Sequence, residues 1–267
     1  MISPQVSIGL LTFHFYGAII ALSIFLGWLL ARKRAGLYKI PQRLFDDPIL
    51  TVPLLLAIFG ARIYHVVDYW SYYKNNLDQI FVVWNGGLGI FGALIGIFLG
   101  FWIIAKVRKV NFISILDLIA PSLLLGQAFG RIANFVNQEG FGPPTNLPWG
   151  VYINHENRPS EYLNFSHFHP TFFYEAIIDF LFFIVLLYLF KPSTVNRQLS
   201  TVRQGQAFAL YLIFYSIGRF IAEFWRIDTA TIGTIKVAHL LSAFTFIFGL
   251  LLFLVIIKRQ SHRLDNN

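Results

Sequence analysis

The chain contains no cysteine. That excludes disulfides, thiolate metal sites and a cysteine nucleophile within it, and it leaves the cellular compartment open. Charge is scarce as well. Only 13 % of the 267 residues are Asp, Glu, Lys or Arg, about half the usual share for a soluble domain, so a water-soluble globule is not expected. Acidic residues are the scarcer sign, 13 against 21 basic, which leaves a formal net charge of +8. Such an excess suits nucleic acid or a membrane, and its placement decides between them. What is plentiful is apolar: 56 % hydrophobic residues, 18 % aromatics with 29 Phe among them, and a mean hydropathy of +0.62. That composition fits lipid-facing and interfacial surface.

A helix that crosses a bilayer needs about 20 mostly apolar residues. Seven runs qualify, roughly 11–31, 48–67, 87–105, 112–135, 170–190, 206–225 and 237–257. They are too long and unbroken for the alternating segments of a barrel. The first has no basic residue before it and no small-residue cleavage pattern after it, so it does not read as a secretory signal. Basic residues follow every odd run: Arg32, Lys33, Arg34, Lys39 and Arg43, then Lys106, Arg108 and Lys109, then Lys191, Arg197 and Arg203, then Lys258, Arg259 and Arg263. The opposite side carries Lys74, Arg158, Arg226 and Lys236. Fourteen against four puts the N-terminus outside and the C-terminus in the cytoplasm. Topology accounts for the basic excess, and no nucleic-acid partner is expected. The expected fold is an all-α polytopic membrane protein of about seven transmembrane helices. It forms a single integral membrane domain over 1–267, with a small outer head or lid over 137–169. Gly92, Gly96 and Gly100 recur every fourth residue, as do Gly126 and Gly130, which predicts close helix packing through small residues.

Three basic residues, Arg62, Arg131 and Arg219, fall inside the runs. An arginine at mid-bilayer costs about 2.5–3.5 kcal/mol on insertion scales, unless it sits near a span end and snorkels. Asp117, Glu175, Asp179 and Glu223 add acids within or near the runs. Together these groups imply a buried polar site. Gln127, Arg131, Asn134 and Gln138 are spaced to share one helix face. The guanidinium fork suits phosphate, and an amide can hold hydroxyl or ester oxygens; the alternative is an interhelical polar network that only fixes packing. Tyr215, Arg219 and Glu223 form a second stripe. There Arg219 and Glu223 either neutralise each other or serve, with Arg131, a bound anion, in which case the two arginines need no internal partner. Pro170 suits the first turn of the fifth helix, with His169 just before it, near the outer level of Glu139 and Arg226. His169 is a structural hydrogen-bonder or a catalyst, and Tyr16, beside His14 at the outer end of the first run, is an interfacial anchor or a site residue. His14, His65, His155, His167 and His169 lack the spacing of a ligand set, so no metal is expected.

The segment from Gly130 through Arg131, Asn134, Gln138 and Glu139 to Gly142 resembles the signature of the prolipoprotein diacylglyceryl transferase family. Supporting segments follow in order: Gly60-Ala61-Arg62, Gly86-Gly87-Leu88-Gly89, Asp117 with Pro121, His169-Pro170-Thr171 through Tyr174-Glu175, and Gly218-Arg219 through Glu223 to Arg226. The resemblance implies an enzyme of the bacterial cytoplasmic membrane that needs no cofactor. It moves the diacylglyceryl group of phosphatidylglycerol onto the lipobox cysteine of a prolipoprotein signal peptide and releases glycerol phosphate. The thiol then belongs to the substrate, which suits a chain without cysteine. In this reading Arg131 and Arg219 hold the departing phosphate, Asn134 and Tyr215 orient the head group, and Glu139 and Gly142 shape the outer wall. Glu223 holds Arg219, while Arg62, Asp117, Gly86 and Gly87 complete the substrate contacts. Many members carry a His where this chain has Phe91, so the acceptor of the thiol proton falls to His169 or Tyr16. The alternatives are a catalytically impaired lipid-binding relative and a small membrane transporter, although inverted repeats are not visible in the unequal runs.

Overall fold

The computed structural model describes residues 5–8, 11–83, 86–191, 204–227 and 229–264. Among them, six helical segments are long and apolar enough to cross a membrane: Phe15–Tyr38, Pro48–Asp68, Ile90–Val107, Phe112–Asn137, Thr171–Leu189 and Val237–Lys258. They match six of the seven expected runs. The remaining run does fold as a helix, α7 over Gln206–Glu223, but Gln206, Arg219 and Glu223 dilute it below the apolarity of the others. The other helices are α1 (Phe15–Arg34), α2 (Thr51–Asp68), the short α3 (Trp70–Tyr73), α4 (Ile90–Val107), α5 (Phe112–Asn137), α6 (Thr171–Leu189) and α8 (Val237–Leu264). Among the described residues, strands occur only as small antiparallel pairs, β1 (Gln5–Ile8) with β2 (Leu11–His14), β3 (Val151–Tyr152) with β4 (His167–Phe168), and β5 (Thr231–Ile232) with β6 (Ile235–Lys236).

The chain divides into two compact units, Tyr38–Ile115 and Met1–Leu37 with Leu116–Asn267. In the first, α2 and α4 run antiparallel with their backbones in contact. A Cβ on Gly92 would strike the carbonyl of Gly60, one on Gly96 the carbonyl of Leu56, and one on Gly100 the Cα of Pro53 at 2.5 Å. This is the small-residue packing that the spacing predicts. Gly96→Leu should therefore force the two backbones apart and cost about 3 kcal/mol, the upper end of overpacking, read as a lower unfolding midpoint in detergent. The same spacing at Gly126 and Gly130 has another meaning. Neither packs closely, because a Cβ there would meet nothing within 4 Å. They immediately precede Gln127 and Arg131 on α5, so their missing side chains leave room beside its polar face.

In the second unit, Ala120, Leu124 and Leu125 of α5 pack with Phe183 and Leu186 of α6 and with Ala207 and Tyr211 of α7, while Leu26 and Leu30 of α1 close over them. Helix α7 also lies along α8. Polar pins join the helices: the Ser122 hydroxyl donates to the Gly27 carbonyl at 2.9 Å, and Arg34 Nη2 donates to that of Phe190 at 2.9 Å. The segment between α5 and α6 has its own small core of Phe141, Ile153, Phe168 and Phe172. Gln138 organises that segment, since its Oε1 accepts from the Asn154 amide at 2.7 Å and from Asn157 Nδ2 at 3.1 Å.

Candidate active site

Glu175, in the second turn of α6 and 3 % exposed, is the centre of the polar site. Three guanidinium groups converge on its carboxylate. Arg131 Nη2 from α5 lies 2.8 Å from Oε2, Arg219 Nη1 from α7 lies 3.3 Å from the same oxygen, and Arg226 Nη1, just beyond α7, lies 3.2 Å from Oε1. Arg219 also places Nη2 2.5 Å from the carboxylate of Glu223, one turn further along α7 and fully buried. Asp179, a turn beyond Glu175, is within electrostatic reach of Arg131 and Arg219. Charges in so dry a place persist only when paired. The pairing also preorganises the three cations, which would otherwise repel one another.

Backbone geometry sets the outer rim. The left-handed Gly140, φ +70°, lets the Arg226 guanidinium approach to 3.3 Å of where a Cβ would stand. Its carbonyl accepts from the Thr171 hydroxyl at 2.5 Å. Gly142 is hemmed in by the Trp225 carbonyl, Thr171 and His169, and its amide donates to the His169 carbonyl at 2.8 Å. His169 Nδ1 lies 3.2 Å from the Tyr174 hydroxyl, which accepts from the Trp149 indole at 3.0 Å. Asn134, with its amide turned so that nitrogen faces acceptors, donates to Gly130 O and to Glu139 Oε1 at 3.3 Å. Tyr16, on α1, is within electrostatic reach of Arg131 and Glu139. Behind the site, Lys236 Nζ donates to the carbonyls of Glu223 and Arg226 at 2.6 Å each, and so caps the end of α7 that carries both residues.

The sequence-derived candidates thus divide. Arg131, Arg219, Glu223, Asn134, Glu139, Gly142, His169 and Tyr16 belong to this region or its rim. The face that unites Gln127, Arg131, Asn134 and Gln138 is shared between two tasks: Gln127 donates to the Tyr211 hydroxyl at 3.0 Å and Gln138 ties down the following segment, so both serve packing. Tyr215 stacks on Tyr211, with ring centroids 6.1 Å apart. Of the two alternatives for Arg219, the structure shows it paired with Glu223, and Glu175 adds an internal partner that it shares with Arg131.

Asp117 lies fourteen residues ahead of Arg131 on α5, about 21 Å along the axis. Fully buried, it accepts from the amides of Gly205 at 2.6 Å and Phe208 at 2.9 Å, capping the N-terminus of α7. Arg62, Gly86, Gly87 and Phe91 belong to the unit Tyr38–Ile115. There Arg62 donates to the carbonyls of Ile80, Gly86 and Gly87 at 2.7, 2.9 and 3.0 Å, and to that of Gln79. Phe91 is 46 % exposed beside Tyr64. The sequence reading missed Glu175 as the centre and Arg226 as a third cation. An acid at the opening of an apolar helix needs a cation, and that was the available signal.

Chemically, three half-buried guanidinium groups gathered on one carboxylate are able to hold a phosphate and to stabilise negative charge on it. Comparison with known proteins identifies the family. The sequence profile of one family, described as Prolipoprotein diacylglyceryl transferase, matches residues 4–255. Relatives named phosphatidylglycerol–prolipoprotein diacylglyceryl transferase include one from Nostoc sp., 41 % identical over 92 % of this chain and 86 % of its own length. Another from Thermosynechococcus vestitus is 38 % identical over 91 % and 88 %, and one from Finegoldia magna is 39 % identical over 89 % and 88 %. Over nearly its whole length, then, this chain belongs to the prolipoprotein diacylglyceryl transferase family.

Proposed function

We propose that the chain transfers the diacylglyceryl group of phosphatidylglycerol to the lipobox cysteine of prolipoproteins. The cysteine sulfur attacks the glyceryl methylene that bears the phosphate, the C–O bond breaks, a thioether forms, and glycerol phosphate leaves. The phosphodiester carries one negative charge and the departing monoester gains a second, so cations fixed at that oxygen lower the barrier. The convergence of Arg131, Arg219 and Arg226 on Glu175 is the observation that carries this reading. Gly126 and Gly130 leave room for the lipid glycerol on the α5 flank. Asn134 and Tyr215 orient the head group, Glu139 and Gly142 form the outer wall, and Glu223 anchors Arg219. Arg62, Gly86 and Gly87 keep a loop of their own unit in shape, and Asp117 acts through the start of α7.

The thiolate is the reactive form, and a cluster rich in guanidinium favours it near the site. His169 is the proton acceptor at the rim, since Phe91 cannot take a proton and the Tyr16 phenol already carries one; Tyr16 contributes a hydrogen bond there. The protein is a multi-pass resident of the bacterial cytoplasmic membrane with α7 as a seventh span, the N-terminus outside and the C-terminus in the cytoplasm. Purified protein incubated with phosphatidylglycerol vesicles and a lipobox peptide should add one diacylglyceryl mass to the peptide cysteine. Lipid binding without that gain would instead support an inactive lipid-binding relative, and neither result would leave a transport role.

A further inference from the structure

The proposed reaction sets a problem of charge that its own site must answer. The incoming phosphodiester carries a single negative charge, whereas a phosphate monoester carries between about −1.5 and −2 at neutral pH. Three guanidinium groups arranged to favour the charged transition state would hold the released glycerol phosphate more firmly than the lipid it came from. Turnover then suffers, because binding strength spent on product does not lower the chemical barrier.

Glu175 sits where that product charge would be shared. It faces the three arginines from one point, on α6, while they come from α5, α7 and the turn after α7. Its contacts are unequal. The pair with Arg131 is 2.8 Å, but those with Arg219 and Arg226 are 3.2 to 3.4 Å. The longer ones exceed the range of about 2.7–2.9 Å typical of strong charge-assisted bonds. Glu175 therefore neutralises the trio as a group, its single charge shared among three cations. Glu223 differs: it faces Arg219 alone at 2.5 Å and is a dedicated partner.

Resting on the transfer reading above, we propose that Glu175 is a resident competitor for the phosphate. Its fixed negative charge weakens the hold of the arginine trio on the doubly charged product more than on the singly charged lipid, and so promotes release of glycerol phosphate. Coulomb repulsion scales with the product of the charges, which gives the sign of that discrimination directly. Glu175 acts through the arginines and is a positioning residue in this sense.

The test measures anion affinity without turnover. Glycerol phosphate and inorganic phosphate are titrated against detergent-purified wild type, Glu175→Gln and Glu175→Asp, with thermal stabilisation as the readout. The Gln variant should bind glycerol phosphate at least 10-fold more tightly than wild type. The Asp variant, with its carboxylate withdrawn by one methylene, should bind about 3-fold more tightly. In steady state, the Gln variant should show deeper inhibition by added glycerol phosphate and a kcat reduced more than its single-turnover rate. Equal or weaker phosphate affinity in whichever variant folds overturns the proposal. A wild type that fails to modify the peptide removes the transfer reading instead, a result the affinity measurement does not touch.

Discussion

Arg131→Ala should lower diacylglyceryl transfer by about 10²–10³-fold, the usual loss when one preorganised donor is taken from a site of developing negative charge. Arg131 makes the shortest contact with Glu175, 2.8 Å through one terminal nitrogen, and the rest of its fork is directed by that anchor. Removing it leaves Glu175 with the two more distant arginines and leaves the flank beside Gly130 without a cation. The variant should still purify as a helical membrane protein, since the packed core of α5, α6 and α7 is built from other residues. Arg131→Lys should recover only a small part, because an ammonium cannot reproduce the planar two-nitrogen geometry. The measurement is kcat/KM with the lipobox peptide, and a rate within 3-fold of wild type would remove Arg131 from the mechanism.

Arg62→Met should act on stability first. Arg62 is 8 % exposed, and its guanidinium holds the carbonyls of Gln79, Ile80, Gly86 and Gly87. Hydrogen bonds to a charged donor contribute about 1.5–3 kcal/mol each. Water can re-solvate part of this half-buried loop, so a net loss of about 3 kcal/mol is expected, seen as a lower unfolding midpoint in detergent. The KM for phosphatidylglycerol in the fraction that stays folded should change little. A raised KM at unchanged stability would instead make Arg62 a direct substrate contact.

The difference between Arg62 and Arg131 marks what a sequence can and cannot disclose. Both are arginines inside apolar runs, and the cost of burying them says that each has a purpose. It does not say whether the partner is a loop carbonyl or a carboxylate on another helix. Glu175 lies 44 residues from Arg219 in the chain, and no local spacing reports a pairing at that distance. Arg226 reads from sequence as an outer-side basic residue, yet its guanidinium joins the same carboxylate. Asp117 is legible as a buried acid in need of donors, but its donors are backbone amides 88 and 91 residues further on. Long apolar runs, by contrast, are nearly self-specifying, and six of the seven reappear as helices apolar enough to span a membrane. The seventh is weak for a physical reason: Arg219 and Glu223, which give α7 its part in the site, are the residues that erode its apolarity. The glycine repeats carry a similar ambiguity. One set lets α2 and α4 touch, and the other leaves space.

The cap that Asp117 places on α7 bears on how the chain is made. Asp117 meets the first turn of α7, and Glu175 meets Arg219 near its end. Both carboxylates belong to helices that leave the ribosome earlier. The segment least able to enter oil on its own merits thus arrives after its electrostatic hosts are already installed, and a translation product cut short before α7 would strand Asp117 without its amides and leave Glu175 to Arg131 alone.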